Sequence, residues 1–138
     1  MSLDVYLQVF DKGEATGIPR DSVRDAVGAV FVTETASGSW RVQYDAENSC
    51  DVYLNVDAGA GMLQGLSINR PCGDMRLWQA LATILRLGNV VLYFPGCKAP
   101  LIANLNARQH LPLDMIEALG EPMILTSGAE ILREIQAV

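Results

Sequence analysis

The sequence has little of what the common catalytic and metal-binding classes require. It contains a single histidine, His110, and three widely spaced cysteines, Cys50, Cys72 and Cys97. A Ser-His-Asp triad needs a histidine base, and a structural zinc site usually contains two cysteines a few residues apart. The chain also lacks the Gly-rich phosphate loop, the Gly-x-Ser-x-Gly elbow and the His-Glu-x-x-His motif. The sequence therefore predicts no catalytic residue, no metal ligand and no cofactor.

Basic residues are scarce as well. The chain has 10 Lys and Arg residues and 16 Asp and Glu residues, which gives a formal net charge of −6. Because binding to a phosphate backbone needs clustered Lys and Arg side chains, this composition argues against a nucleic-acid partner. The same charge is compatible with a basic protein partner, although many acidic proteins owe their charge to solubility alone.

Long apolar runs are also missing. The longest, at 90–94, has five residues, whereas a membrane span needs about 20. The first residues show neither the basic nor the apolar region of a secretory signal, and an odd number of separated cysteines does not form a disulfide framework. We therefore expect a cytoplasmic protein that does not bind membranes, folded as one domain over residues 1–138.

Hydrophobic patterning predicts an α+β fold. Apolar segments predict strands at 5–10, 39–44, 50–57, 62–69 and 89–94, with a further edge strand at 122–126. Apolar residues at helical spacing, together with helix-start signals, predict helices at 19–31, 74–87 and 112–119 and from residue 127. Segment 99–109 has no clear pattern. The order is β-α-β-β-β-α-β-α-(β)-α, which favours a mostly antiparallel sheet of about five strands with helices packed on one face.

Two of the predicted strands have nearly the same sequence. Residues 4–9, Asp-Val-Tyr-Leu-Gln-Val, recur at 51–56 as Asp-Val-Tyr-Leu-Asn-Val. A duplicated β-α unit would explain the match, but the flanking residues do not continue it. We therefore favour two strands that independently use the same small set of residues.

The segment 68–74 concentrates reactive groups between a predicted strand and the most amphipathic helix. Arg70, Cys72 and Asp74 lie close together in the sequence where this helix begins. The dipole and the unpaired N–H groups of a helix N-terminus favour a thiolate, and the Arg70 guanidinium would add to this effect. The three residues are therefore a candidate site for a small ligand or for thiol redox chemistry.

The same segment also has an architectural interpretation. Gly73 suits a tight turn, Asp74 suits the N-cap of the helix, and Cys72 suits a small buried position. A catalytic cysteine needs a base, and His110 lies outside the well-patterned segments. We therefore favour architecture as the main role of this corner.

The strand at 50–57 offers a second candidate site. Side-chain alternation places its apolar residues on the core face and its polar residues on the outer face. The outer residues are Asp51, Tyr53, Asn55 and Asp57. If no helix covers them, an exposed tyrosine among carboxylates would suit a basic partner. An ordinary solvated sheet face would have the same composition.

Three stretches of the sequence resemble segments of other proteins. They are the opening strand with Ile18-Pro19-Arg20, the block Arg70-Pro71-Cys72-Gly73-Asp74-x-Arg76-Leu77-Trp78, and residues 90–96. Together they resemble a group of small bacterial single-domain proteins to which no activity is assigned. In size and charge such proteins are similar to immunity proteins of bacterial toxin systems. No functional residue carries over from this resemblance.

These observations favour a non-enzymatic protein-binding domain that acts as an immunity or accessory factor for a basic protein partner. The net charge, the outer face at 51–57 and the shortage of catalytic groups support this hypothesis. The alternative is a small-ligand or thiol-redox protein with its site at Arg70, Cys72 and Asp74. The sequence fixes neither the oligomeric state nor the order of the strands.

Overall fold

A computed structural model describes residues 3–57 and 61–138 of the chain. The first half contains strands β1 (Asp4–Asp11), β2 (Glu14–Ala15) and β3 (Ile18–Pro19), helix α1 (Arg20–Val27), a 3-10 turn (Ala29–Phe31), and strands β4 (Val32–Glu34), β5 (Trp40–Gln43), β6 (Ser49–Asp57) and β7 (Met62–Asn69). The second half contains α2 (Met75–Leu85), β8 (Val90–Tyr93), β9 (Leu101–Ile102), α3 (Leu105–Arg108), α4 (Leu113–Leu119), β10 (Met123–Ile124) and α5 (Gly128–Gln136). None of the helices in these residues has the length and apolar character needed to cross a bilayer.

The ten strands found in the described residues form one mixed sheet. The order of the main strands is β10-β9-β8-β1-β7-β6-β5-β4, while β2 pairs with β1 and β3 pairs with β7. Neighbouring strands are antiparallel except β9 and β10, which are parallel. Strand β7 is central, because it pairs along most of its length with β1 on one side and β6 on the other.

Side-chain alternation along the long strands gives the sheet one apolar face. Val5, Leu7 and Val9 of β1 point to this face and are buried, as are Val52 of β6 and Ile68 of β7. Helices α1, α2 and α5 cover it. Helix α2 contributes a continuous stripe of large buried side chains: Leu77, Trp78, Leu81, Ile84 and Leu85. Since each such side chain stabilises the fold by about 1.5–3 kcal/mol, this face is the main core.

A second, smaller cluster lies on the other face of the sheet, at the edge formed by β8 and β9. Its buried members are Phe10, Val91, Ile102, Ala107 and Leu111. Helix α3 supplies Ala107, and α4 packs against the cluster through Met115 and Ile116. The helices are therefore not confined to one face as predicted: α1, α2 and α5 cover one face, and α3 and α4 cover an edge of the other.

The α+β class and the mostly antiparallel sheet are confirmed, but the predicted number of about five strands was wrong. Every predicted strand is present, and β7 has the predicted bounds. The strands that the patterning missed are β2, β3, β4 and β9, which have two or three residues each. Alternation cannot show in so short a segment, since these residues are strands only because a neighbouring strand pairs with them.

A β-bulge interrupts the alternation at the far end of β6. The register with β7 shifts between Asn55 and Val56, so that Asn55 pairs with Gly65 and Val56 with Leu63. Val56, which strict alternation would bury, is consequently 51% exposed. Gly65 fits this position because a Cβ there would lie 2.4 Å from the carbonyl oxygen of Leu7. The bulge therefore limits the regular part of the β6–β7 pair to Asp51–Asn55.

Helices α2 and α5 approach each other closely where α5 begins. A Cβ at Gly128 would lie 2.5 Å from the backbone nitrogen of Gln79 and from the carbonyl carbon of Trp78. We therefore expect Gly128→Ala to force α5 away from α2 and to lower the free energy of unfolding by about 1–3 kcal/mol, as overpacking does. Urea denaturation measures this. Gly73→Ala is the matched control, because its Cβ would meet no atom within 4 Å; equal stability of the two variants would contradict the prediction.

Candidate functional site

The face of the sheet opposite the main core is open over β5, β6 and β7. Outward-pointing side chains of these strands are solvent-exposed in the described structure: Arg41, Gln43, Tyr53, Asn55 and Asn69. Strand β1 adds Asp4, Tyr6 and Gln8 to the same face, all half-buried. The strands therefore present a polar face opposite the one that the helices cover.

The near-repeated hexapeptides lie on either side of β7 in the same register. Asp4 and Asp51 both pair with Asn69, Tyr6 and Tyr53 both pair with Ser67, and Gln8 and Asn55 both pair with Gly65. The tertiary structure thus gives the repeat a geometric meaning that the sequence did not show. We call the space above Asn69, Ser67 and Gly65 the β7 trough, and the two hexapeptides its walls.

Small or uncharged residues form the floor of the trough, and aromatic residues rise on both sides. Tyr6 stacks on Tyr93 of β8 with ring centroids 5.4 Å apart and planes inclined by 23°. The Tyr93 hydroxyl donates to Gln8 Oε1 at 3.0 Å, and the Tyr6 hydroxyl donates to Asp4 Oδ2 at 3.5 Å. Tyr53, on the opposite wall, is 48% exposed. The volume enclosed between the tyrosines is about 230 Å³.

The predicted partner-binding residues all belong to β6. Tyr53 and Asn55 line the cavity between the tyrosines, and Asp51 lies beyond it on the same wall, beside Asn69. Asp51 is 3.7 Å from the guanidinium of Arg41 on β5, so its carboxylate already faces a cation of this chain. The side chain of Asp57 lies outside the described part of the structure. Patterning missed the opposite wall, Asp4, Tyr6 and Gln8, although the repeat in the sequence was the signal that pointed to it.

The structure separates the three residues of the second candidate site. Asp74 is the N-cap of α2, where its Oδ1 accepts the backbone N–H of Arg76 at 2.9 Å. Its carboxylate also accepts the Arg76 guanidinium at 2.9 and 2.7 Å. The bonds to the Arg76 side chain have the largest effect, followed by the bond to its backbone N–H. Together they lower the pKa of Asp74 from its ordinary 3.8 to about 2. Asp74 therefore faces Arg76 rather than Arg70.

Arg70 and Cys72 instead line a cleft of about 630 Å³ between the corner and α5. The remaining lining is mainly apolar and includes Leu3, Trp78, Leu132, Ile135 and Val138. Arg70 has a φ of +51°, a backbone conformation that few non-glycine residues adopt. The Cys72 carbonyl accepts the Trp78 indole N–H at 3.1 Å, which fixes the corner against α2. The cleft therefore has one positively charged side chain, that of Arg70, beside a mainly apolar lining.

The cysteines are all free thiols, and Cys50 is buried. Burial first, and then the neighbouring Cys72 thiol, raise the pKa of Cys50 from its ordinary 9.0 to about 12. Burial likewise raises the pKa of Tyr44, which lies in the same cluster and donates to the carbonyl of Val27 at 3.3 Å. These groups stay protonated and neutral in the folded protein, which suits packing rather than nucleophilic attack.

His110 does not meet the cysteines. Its Nδ1 accepts the backbone N–H of Lys12 at 3.1 Å and lies 3.3 Å from Asp11 Oδ1, at the end of β1. The corner with Cys72 lies beyond the opposite end of β1, where Asp4 pairs with Asn69. In residues 3–57 and 61–138, no group of three His, Cys, Asp or Glu side chains is placed to hold a metal ion.

No family model, curated protein or solved structure matches the chain. The resemblance to small bacterial single-domain proteins therefore stays a prediction. The contacts, burial and charges of the described residues are the observations that bear on function.

The raised pKa of Cys50 predicts a loss of stability at alkaline pH. The folded state keeps the thiol protonated up to about pH 12, whereas the unfolded chain ionises from about pH 9. Below about pH 9 the thiol is protonated in both states and costs no stability. Above that pH, ionisation favours the unfolded chain, so that Cys50 alone lowers the free energy of unfolding by about 2 kcal/mol between about pH 8 and about pH 10.5. Urea denaturation under reducing conditions measures the difference.

Two alanine variants separate this effect from general alkaline unfolding. Cys50→Ala should show a smaller decline in the free energy of unfolding over that range, because the titrating thiol is gone. Cys97→Ala should keep the decline of the wild type. The prediction is wrong if Cys50→Ala loses stability as steeply as the wild type.

Proposed function

We propose that the protein is a non-enzymatic protein-binding domain whose open sheet face receives a basic segment of a partner protein. The two matching walls of the β7 trough carry this proposal, because they present two carboxylates and two tyrosines at equal positions on both sides of one strand. The size and charge of the protein favour a role as an immunity or accessory factor for that partner.

Charge complementarity supports a basic occupant. The chain has a net charge of −6, and Asp4 and Asp51 stand on the open face itself. Tyrosine faces attract cations, and the aliphatic stems of Lys and Arg pack well against aromatic rings. A segment that presents such side chains would therefore find both a charged and an apolar contact at each wall. Acidic groups also speed the encounter with a basic partner through long-range attraction.

Site-specific photocrosslinking in the producing cells tests the proposal. Tyr53 is replaced by a benzophenone amino acid, and Ala129, exposed on α5 at the other side of the molecule, is the matched position. We expect irradiation to give one covalent adduct of defined mass from position 53 and none from position 129. The adduct should fall at high ionic strength and in the double variant Asp4→Asn, Asp51→Asn, because screening and neutralisation both weaken the attraction.

Mass spectrometry of the adduct then identifies the partner, and the purified pair gives a dissociation constant. The proposal fails if both positions give the same adducts, if position 53 gives none, or if the adduct is insensitive to ionic strength and to the double variant.

The cleft at the corner supports a second candidate function, the binding of a small amphipathic carboxylate. Its volume of about 630 Å³ lies in the range of ligand pockets. Arg70 is the single charged side chain among the described lining residues, and its left-handed backbone is the kind of strain that occurs at binding sites. A thiol-redox role at Cys72 has less support, because Asp74 pairs with Arg76 rather than with Arg70 and His110 lies at the opposite end of β1.

Decanoate is a suitable probe for this second function. We expect calorimetry to detect saturable binding of decanoate that is about tenfold weaker in Arg70→Gln, which loses one charge-assisted contact. Arg133→Gln, which removes an exposed charge from α5, should bind like the wild type. Equal binding of decanoate and uncharged decanol would exclude a role for Arg70.

A further inference from the structure

We propose that the β7 trough recognises two consecutive basic residues in an extended segment of the partner. This inference rests on the protein-binding function proposed above and adds the chemistry of the bound segment. Asp4 on one wall and Asp51 on the other are the two carboxylates that would receive the two cations.

The distance between the walls follows from the sheet. Asp4 and Asp51 face each other across Asn69, two strand spacings apart, and each spacing is about 4.8 Å. Their Cα atoms are therefore about 10 Å apart. Asn69, whose side chain is uncharged and exposed, lies between them, and Arg70 lines a cavity together with Asp51 and Asn69. A single main chain fits above β7, with a carboxylate on each side of it.

The alternation of side chains in an extended chain determines how far apart in the partner's sequence the two basic residues must be to reach both carboxylates. Successive side chains of such a chain point to opposite sides, whereas residues i and i+2 point to the same side. A segment that lies along β7 would direct residue i to Asp4 and residue i+1 to Asp51. Two basic residues separated by one position would both reach the same wall, and only one carboxylate would be used.

The tyrosines make the trough suitable for long cationic side chains. Tyr6 stacks on Tyr93 with one face, so its other face is turned towards β7 and Tyr53. Gly65 and Ser67 keep the floor low between the rings. The stems of Arg or Lys can therefore pass beside the rings while the charged ends reach the carboxylates, which combines cation–π and ionic contacts.

The chain itself provides an example of a guanidinium at one of these positions. Arg41 of β5 approaches Asp51 to 3.7 Å on the open face, and both side chains are about half exposed. The contact therefore places a cation of the chain itself beside Asp51. It also means that Arg41 competes with the partner for Asp51, so removal of Arg41 should strengthen binding at that wall.

Two peptides of identical composition test the spacing. One is acetyl-Gly-Ser-Arg-Arg-Ser-Gly-amide, and the other is acetyl-Gly-Arg-Ser-Arg-Ser-Gly-amide. Nuclear magnetic resonance titration at low ionic strength gives the dissociation constants and the residues that shift. We expect the consecutive pair to bind about fivefold more tightly, the order of one additional ion pair, and to shift the amides of both walls.

Variants of the walls test the roles of the two carboxylates. Asp4→Asn and Asp51→Asn should each weaken binding of the consecutive-pair peptide and abolish its advantage over the spaced peptide. Arg41→Gln should strengthen binding of the consecutive-pair peptide, because it frees Asp51. Arg133→Gln removes the same charge from α5, far from the trough, and should leave the affinity nearly unchanged. All four positions are exposed or half-buried, so the variants should fold.

The inference is overturned if the two peptides bind equally well, or if Arg41→Gln and Arg133→Gln change the affinity to the same extent. Either result would leave the crosslink at position 53 unaffected, so the failure of the spacing rule and the failure of the protein-binding function are distinguishable. Absence of binding by both peptides, together with no crosslink, would reject both.

Discussion

The alternation of side chains along β1, β6 and β7 is the constraint on which the rest of the structure depends. Apolar residues at every second position bury one face of the sheet beneath α1, α2 and α5. The same geometry forces the intervening residues to the opposite face, where Asp, Tyr and amide side chains are exposed or half-buried. A shift of one residue in either pair would move the whole apolar set into solvent. The core therefore fixes the composition and the register of the open face.

The corner between β7 and α2 connects the two layers. Arg70 turns the chain with a positive φ, the Cys72 carbonyl binds the Trp78 indole, and Asp74 caps α2. Arg76 then extends from Asp74 over the rings of Phe31 and Tyr44, at 5.5 and 5.1 Å from their centres. These contacts hold α2 in place over the sheet. They also engage Asp74 and Arg76, the nearby charged groups that a reactive thiol would need. The N-cap predicted at Asp74 is present, whereas Cys72, predicted to be buried, is half-buried and lines the cleft.

Sequence patterning predicted much of the fold and half of the trough. It predicted β7 with its observed bounds, β1 and α2 within a few residues, and the outer positions of Asp51, Tyr53 and Asn55. It missed β4 and β9, because a strand of two or three residues has no recognisable alternation. It also missed Asp4 and Tyr6 as site residues, since strand order depends on pairing between distant segments. The repeat of the hexapeptide was visible, but its meaning required β7 between the copies.

The sequence by itself determined which residues of the regular strands and helices face water and which face the core, because strand and helix periods follow from local backbone geometry. It also determined the N-cap at Asp74 and the charge of the surface. Only the tertiary structure decided that β1 and β6 flank β7 in one register, that α3 and α4 leave most of the second face open, and that Asp74 pairs with Arg76 rather than with Arg70. These outcomes depend on contacts between residues far apart in the chain, for which local pattern carries no information.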